Sequence, residues 1–177
     1  MRGWPSLALL LLLVPRAEPL AVKFAPTGDS RALEAWIAEE LKKGEKEVVV
    51  AMYHFTSVRL AEALAAARKR GVAVRVLVDA EQAKSERSKD ALKKLKDGGI
   101  DLRRVTPKGG EGDDRARYHH KFCVIDGRRV FTGSYNWTVS ADRENHENLV
   151  LITDADTAKV FVKNFEVTWS DSSLSQE

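Results

Sequence analysis

The apolar positions change period several times along the chain, and each change marks an element. Leu7 to Val14 is an unbroken apolar run, and Val22 to Pro26 reads as a short edge strand. Leu33, Trp36, Ile37 and Leu41 then recur at helical spacing, predicting a helix from Arg31 to about Lys43 with Ser30 as its cap and Gly44 at its end. Glu47 to Phe55 contains VVVAMYHF, a continuous run that suits a strand buried on both faces. Ser57 caps the next helix, to about Arg70, with Leu60, Ala63, Leu64 and Ala67 on its inner face. Val72 to Val78 and Ile100 to Val105 read as strands, separated by a polar helical stretch with Leu92 and Leu95 inward. Tyr118 to Ile125 and Arg129 to Thr132 read as a hairpin around Asp126-Gly127, a turn pair that accepts positive φ. Glu147 to Ile152 is a further strand. Asp154 caps a last helix to about Trp169, with Val160, Phe161, Phe165 and Trp169 inward.

Strands alternate with helices, so the expected fold is α/β: a mixed, largely parallel sheet with helices on both faces. At 177 residues the chain has length for one such domain, expected over 22–170, with a frayed polar tail over 171–177. Residues 1–21 read as a secretory leader. Arg2 supplies the positive start, and the apolar run is shorter than the roughly 20 residues needed to span a bilayer. That implies a secreted or periplasmic protein; an uncleaved membrane anchor is the alternative.

A net charge of +3 and a pI near 9.0 fit an anionic substrate without demanding one. The lone cysteine, Cys123, excludes an internal disulfide and, inside an apolar strand, reads as a small core residue. The lysines between Lys84 and Lys96 alternate with acids and read as a solvated helix face. Thr106 to Arg117 is the one long loop. It runs directly into His119, so Lys108, Arg115 and Arg117 are the candidates for contacts with a substrate backbone.

The chemistry concentrates in YHHKFCVIDGRRVFTGSYN, Tyr118 to Asn136. Alternation along a strand puts His119 and Lys121 on one face and His120, Phe122 and Val124 on the other. The hairpin returns Ser134 and Asn136 toward them. A fixed cation, two neutral donors and an imidazole that titrates near neutrality make a phosphate site with its own nucleophile. Two further residues carry open readings. His54 is either a hydrogen-bonded structural histidine or part of the site's rim, and Glu147 is either a surface strand end or an orienting carboxylate.

The spacing H-x-K-x4-D-x6-G-S-x-N, filled by His119, Lys121, Asp126, Gly133, Ser134 and Asn136, closely resembles the HKD signature of the phospholipase D superfamily. The chain is similar to its small single-motif members, the bacterial endonuclease and mitochondrial cardiolipin hydrolase types. No second H-x-K occurs: His54 is followed by Phe55-Thr56, and His146 by Glu147-Asn148. The resemblance therefore implies a homodimer with its site on the twofold axis. It implies metal-independent phosphodiester hydrolysis through a phosphohistidine on His119, with no cofactor. Lys121, Ser134 and Asn136 would hold the phosphate, and Glu147 would bond His119. Asp126 belongs to the signature, but its place at a tight turn suggests that it holds the hairpin. The substrate expected is nucleic acid, DNA or RNA, with a phospholipid headgroup diester as the alternative.

Overall fold

The computed structural model describes residues 20–26, 31–108, 116–171 and 175–176. Its sheet contains strands β1 (Leu20–Ala25), β2 (Glu47–Met52), β3 (Ala73–Asp79), β4 (Asp101–Val105), β5 (Lys121–Ile125), β6 (Arg129–Gly133), β7 (Glu147–Thr153) and β8 (Ser175–Gln176). Their order across the sheet is β1-β7-β6-β5-β2-β3-β4-β8. The sheet is mixed, as expected, but the parallel share is smaller than expected. Only β2–β3 and β3–β4 pair in parallel; the other pairings are antiparallel. The parallel pairs are those joined by helical crossovers, which parallel pairing requires. The Asp126-Gly127 turn and the β6–β7 connection instead return the chain directly beside itself.

Helix α1 (Ala32–Lys42) starts at Arg31, which sits at φ 81° and gives no side-chain cap; Ser30 lies outside the described residues. Helix α2 (Val58–Lys69) is capped by Ser57 Oγ, which accepts from Leu60 N–H at 3.0 Å. The polar stretch after β3 is not one helix. It breaks into α3 (Ala80–Ala83), a 3₁₀ turn (Glu86–Ser88) and α4 (Lys89–Asp97). Its lysines pair along the surface, as a solvated face should: Lys84–Glu81, Lys89–Glu86 and Lys93–Asp97 each at 2.6 Å, and Lys94–Glu62 at 3.3 Å. A short helix α5 (Val139–Arg143) lies between β6 and β7. Helix α6 (Ala155–Ser170) is capped by Asp154.

Two apolar layers clamp the sheet. On one face Leu33, Ile37 and Leu41 of α1 and Leu60 and Leu64 of α2 meet Val48, Val50 and Met52. On the other, Phe165 of α6 meets Val49, Ala51 and Leu77. The buried run of β2 is thus explained by cover on both sides. Cys123 is fully buried, and burial pushes its thiol well above the ordinary range, so it is a packing residue. Val160 does not point inward: it is 68% exposed, because the buried side of α6 is carried by Ala158, Phe161 and Phe165.

At the chain ends, Leu20 and Ala21 already belong to β1, so the sheet begins before the expected domain start; the rest of the expected leader lies outside the described residues. Ser175 and Gln176 pair with Val105 and Arg104, in the tail expected to fray. Among the described residues no helix is long and apolar enough to cross a membrane.

Candidate active site

The carboxyl ends of β2 and β3, the amino end of β5 and the turn after β6 meet at one edge of the sheet. The β5 strand begins at Lys121 rather than Tyr118, so His119 sits in a short extended lead-in. Bonds on either side fix that lead-in. Tyr118 N–H donates to Asp79 Oδ2 at 2.9 Å, and His120 C=O accepts from Tyr53 N–H at 2.7 Å. The expected alternation persists: His120 packs edge-on to Phe122 at 5.5 Å, while His119 turns to Lys121.

The Lys121 Nζ lies 3.2 Å from His119 Nε2 and donates to the His119 carbonyl at 3.1 Å. An ammonium has only donors, so Nε2 is the acceptor and the ring proton resides on Nδ1. Tyr53 supports both groups. Its ring centroid is 4.4 Å from the imidazole, and Lys121 Nζ lies 4.9 Å from it. The His119 pKa is lowered by partial desolvation and by the Lys121 ammonium, and the Asp79 carboxylate opposes both. The ring is exposed, and the ammonium stands 3.2 Å from its Nε2. The Lys121 pKa is lowered by burial, with Glu147 opposing.

Gly133 ends β6 at φ 149° and turns Ser134 toward β7. Ser134 Oγ donates to Glu147 Oε2 and accepts from Asn148 N–H at 3.0 Å. Asn145 Nδ2 donates to Glu147 Oε1 at 3.3 Å. The carboxylate of Glu147 is therefore engaged by Ser134 and Asn145. The bond to His119 that the resemblance implies is not made, because Ser134 reaches the carboxylate first. Asn136 is half-buried, and its enclosed Oδ1 has no partner among the described residues.

Asp126 stands apart from this cluster, although the signature includes it. It lies at the opposite end of β5 from Lys121, at φ 54°. Its Oδ1 accepts from Lys46 N–H at 2.8 Å and Glu45 N–H at 3.1 Å, and Arg129 donates to its Oδ2 at 2.8 Å. It clips the hairpin to the start of β2 and does not touch the site. Its pKa is lowered: burial acts to raise it, but the backbone donors of Lys46, Glu45 and Glu47, with Arg129, outweigh burial. Lys108 and Arg117 are exposed, and Arg117 donates to the Ala116 carbonyl at 2.9 Å. Arg115 lies outside the described residues. His54 is half-buried with an unpaired, enclosed Nε2, so among the described residues the satisfied structural histidine is not what forms there. Burial, then the charge of Arg87, lowers its pKa.

Sequence reasoning passed over Tyr53, Asp79, Asn145 and Asn148. The first two carried a signal: Tyr53 directly follows β2 and Asp79 ends β3, and sites in such sheets form outside the carboxyl ends of their strands.

A family profile described as cardiolipin synthase, PLD-like domain, matches residues 37–169. The chain belongs to this phospholipase D-like family. It is 29% identical over 157 residues to the mitochondrial cardiolipin hydrolase of Mus musculus, covering 89% of this chain and 65% of that protein. It is 35% identical over 130 residues to a phospholipase D of Rickettsia prowazekii, covering 73% of this chain and 59% of that protein. It thus spans less than two thirds of the length of either. Among solved structures, the phospholipase D family member Nuc from Salmonella typhimurium superposes with a TM-score of 0.74 at 28% identity, covering 85% of this chain and 93% of that one.

Proposed function

We propose that this phospholipase D-like chain is a metal-independent phosphodiesterase, an endonuclease on DNA or RNA, working through a phosphohistidine in a homodimer. The contact between Lys121 and the unprotonated Nε2 of His119 carries the reading. It holds a neutral nitrogen nucleophile and a phosphate-binding cation within one hydrogen bond of each other. A phosphate oxygen entering the site draws the ammonium off Nε2 and frees its lone pair. Nε2 then bonds to phosphorus as the P–O bond to the leaving group breaks. That oxygen takes a proton from His119 of the second subunit, which enters this step as the imidazolium and leaves it neutral. Water attacks phosphorus next, gives its proton to that second imidazole, and the P–N bond breaks. Lys121, Ser134 and Asn136 face the charge on the non-bridging oxygens. The similarity to Nuc over most of both chains favours nucleic acid. Read as a secretory leader, the apolar run Leu7 to Val14 would support a site of action outside the cytoplasm.

The second reading is a phospholipid headgroup hydrolase. One observation favours it: Leu20, Val22 and Phe24 alternate along the edge strand at 56, 47 and 64% exposure, an apolar stripe suited to a lipid surface. An assay in EDTA separates the readings. Single-stranded DNA, duplex DNA, RNA and phospholipid vesicles are offered in turn. Cleavage of nucleic acid is expected; headgroup release with intact nucleic acid selects the lipid reading, and dependence on metal rejects the mechanism.

The second subunit is tested by light scattering on the full chain: a dimer is expected, and a monomer that cleaves at full rate rejects the two-histidine mechanism.

A further inference from the structure

The lead-in around His119 is not part of a strand ladder, so something else must fix the imidazole. One of its two anchors, the Tyr53 N–H to His120 C=O bond, is made by backbone alone. The other is a side chain. Asp79 ends β3, is 1% exposed, and divides its carboxylate between two tasks. Oδ1 accepts from Glu81 N–H at 3.1 Å and Gln82 N–H at 3.0 Å, starting α3. Oδ2 accepts from Tyr118 N–H at 2.9 Å, one residue before His119. A polar group held this deeply must be hydrogen-bonded, and these three N–H donors do that.

We infer that Asp79 is the positioning residue for His119, pinning through the Tyr118 N–H the backbone beside the nucleophile and acting on the imidazole with its own charge. The inference rests on the reading of His119 as nucleophile. The pin matters because Tyr118 closes the long loop that begins at Thr106, and Lys121, the first residue in the β ladder, comes only afterwards. Without it, the Tyr53 N–H to His120 C=O bond would be the one tie of the lead-in to a neighbouring strand among the described residues. The charge matters because the imidazole becomes cationic when it takes phosphorus, and a fixed carboxylate favours that form. The charged groups facing His119 are Lys121 from β5 and Asp79 from β3, of opposite effect.

The test combines turnover on bis(p-nitrophenyl) phosphate with NMR of the full chain. Asp79→Asn keeps the size but loses the charge and one acceptor. We expect kcat to fall about a hundredfold, the cost of misplacing a reacting group by about an ångström, with KM within twofold. We also expect the His119 titration midpoint to move to lower pH, because a group that favours the imidazolium is gone. A merely structural role would leave that midpoint in place; kcat within twofold of the parent, or an unmoved midpoint, overturns the inference. Should Asp79→Asn not fold, the unaltered protein still decides. The Tyr118 amide must exchange as slowly as the amides of β5, and exchange at the rate of the neighbouring loop overturns the pin. Neither NMR readout depends on activity. A dead His119→Ala variant with a protected Tyr118 amide supports both ideas, whereas an active His119→Ala variant overturns the nucleophile reading alone.

Discussion

Replacing His119 by alanine is expected to lower turnover about 10⁴-fold or more, because under the proposed mechanism the covalent step loses its nucleophile and, in a homodimer, the proton donor of the second half-site as well. The fold is expected to survive. The ring is exposed and belongs to neither apolar layer, so the denaturation midpoint should stay within the range of a surface change. The pH dependence follows from the neighbours. A histidine held below its ordinary pKa stays neutral to lower pH, so the acid limb of its titration lies below the usual histidine range. Lys121→Met removes a nearby positive charge and should move the His119 midpoint up in an NMR titration, opposite in sign to Asp79→Asn. A Lys121 variant whose midpoint is unmoved would break the link between the 3.2 Å contact and the charge state of the nucleophile.

Gly133→Ala carries the largest stability cost we expect. The residue sits at φ 149°, a conformation that L side chains rarely adopt, and an added Cβ would lie 2.4 Å from the Asn148 carbonyl oxygen and 2.7 Å from Asn148 Oδ1. Backbone strain alone costs on the order of 1–3 kcal/mol. The clash with a β7 backbone atom adds to it, so a loss of about 4 kcal/mol or more is expected, an exceptional value for one methyl group. Urea denaturation reads it. Gly71→Ala is the control: it sits at φ 96° with no atom within 4 Å of its would-be Cβ, so it carries strain without clash and should cost distinctly less. Equal losses at the two positions would remove the steric argument. The Gly133 variant should also lose activity beyond its stability cost, because the close approach to Asn148 is what places Ser134 on Glu147.

Most of the site was legible because its signal is local. His119 and Lys121 are two residues apart, and the period of an extended chain puts them together whether or not the ladder has begun. Asp126-Gly127 announces its turn by its own backbone preferences, and both residues take positive φ as the turn demands. The helix stripes, the Ser57 and Asp154 caps and the doubly buried β2 follow the same logic, in that each is written within one or two turns of chain.

What the sequence could not decide is set by register between distant segments. Local pattern does not reveal that two of the pairings are parallel and the rest antiparallel, because that depends on where each connection returns. The fate of Glu147 turned on which hydroxyl lay within reach once β6 and β7 paired; Ser134, thirteen residues away in sequence, won over His119. Asp126, inside the signature by spacing, was carried to the far end of β5 by the length of that strand. Tyr53 and Asp79 reach His119 from strands 66 and 40 residues earlier in the chain, brought there by parallel pairing that aligns the strands' carboxyl ends. Val160 faced outward because helical phase locates a stripe only to within a neighbouring position, and packing against the sheet selects which side is buried. The sequence by itself thus determined the elements, the turn and the adjacency of His119 and Lys121, since hydrogen bonding and side-chain period act over a few residues. The tertiary structure alone decided which carboxylate serves which partner, because a charge acts on whatever the fold brings within a few ångströms of it.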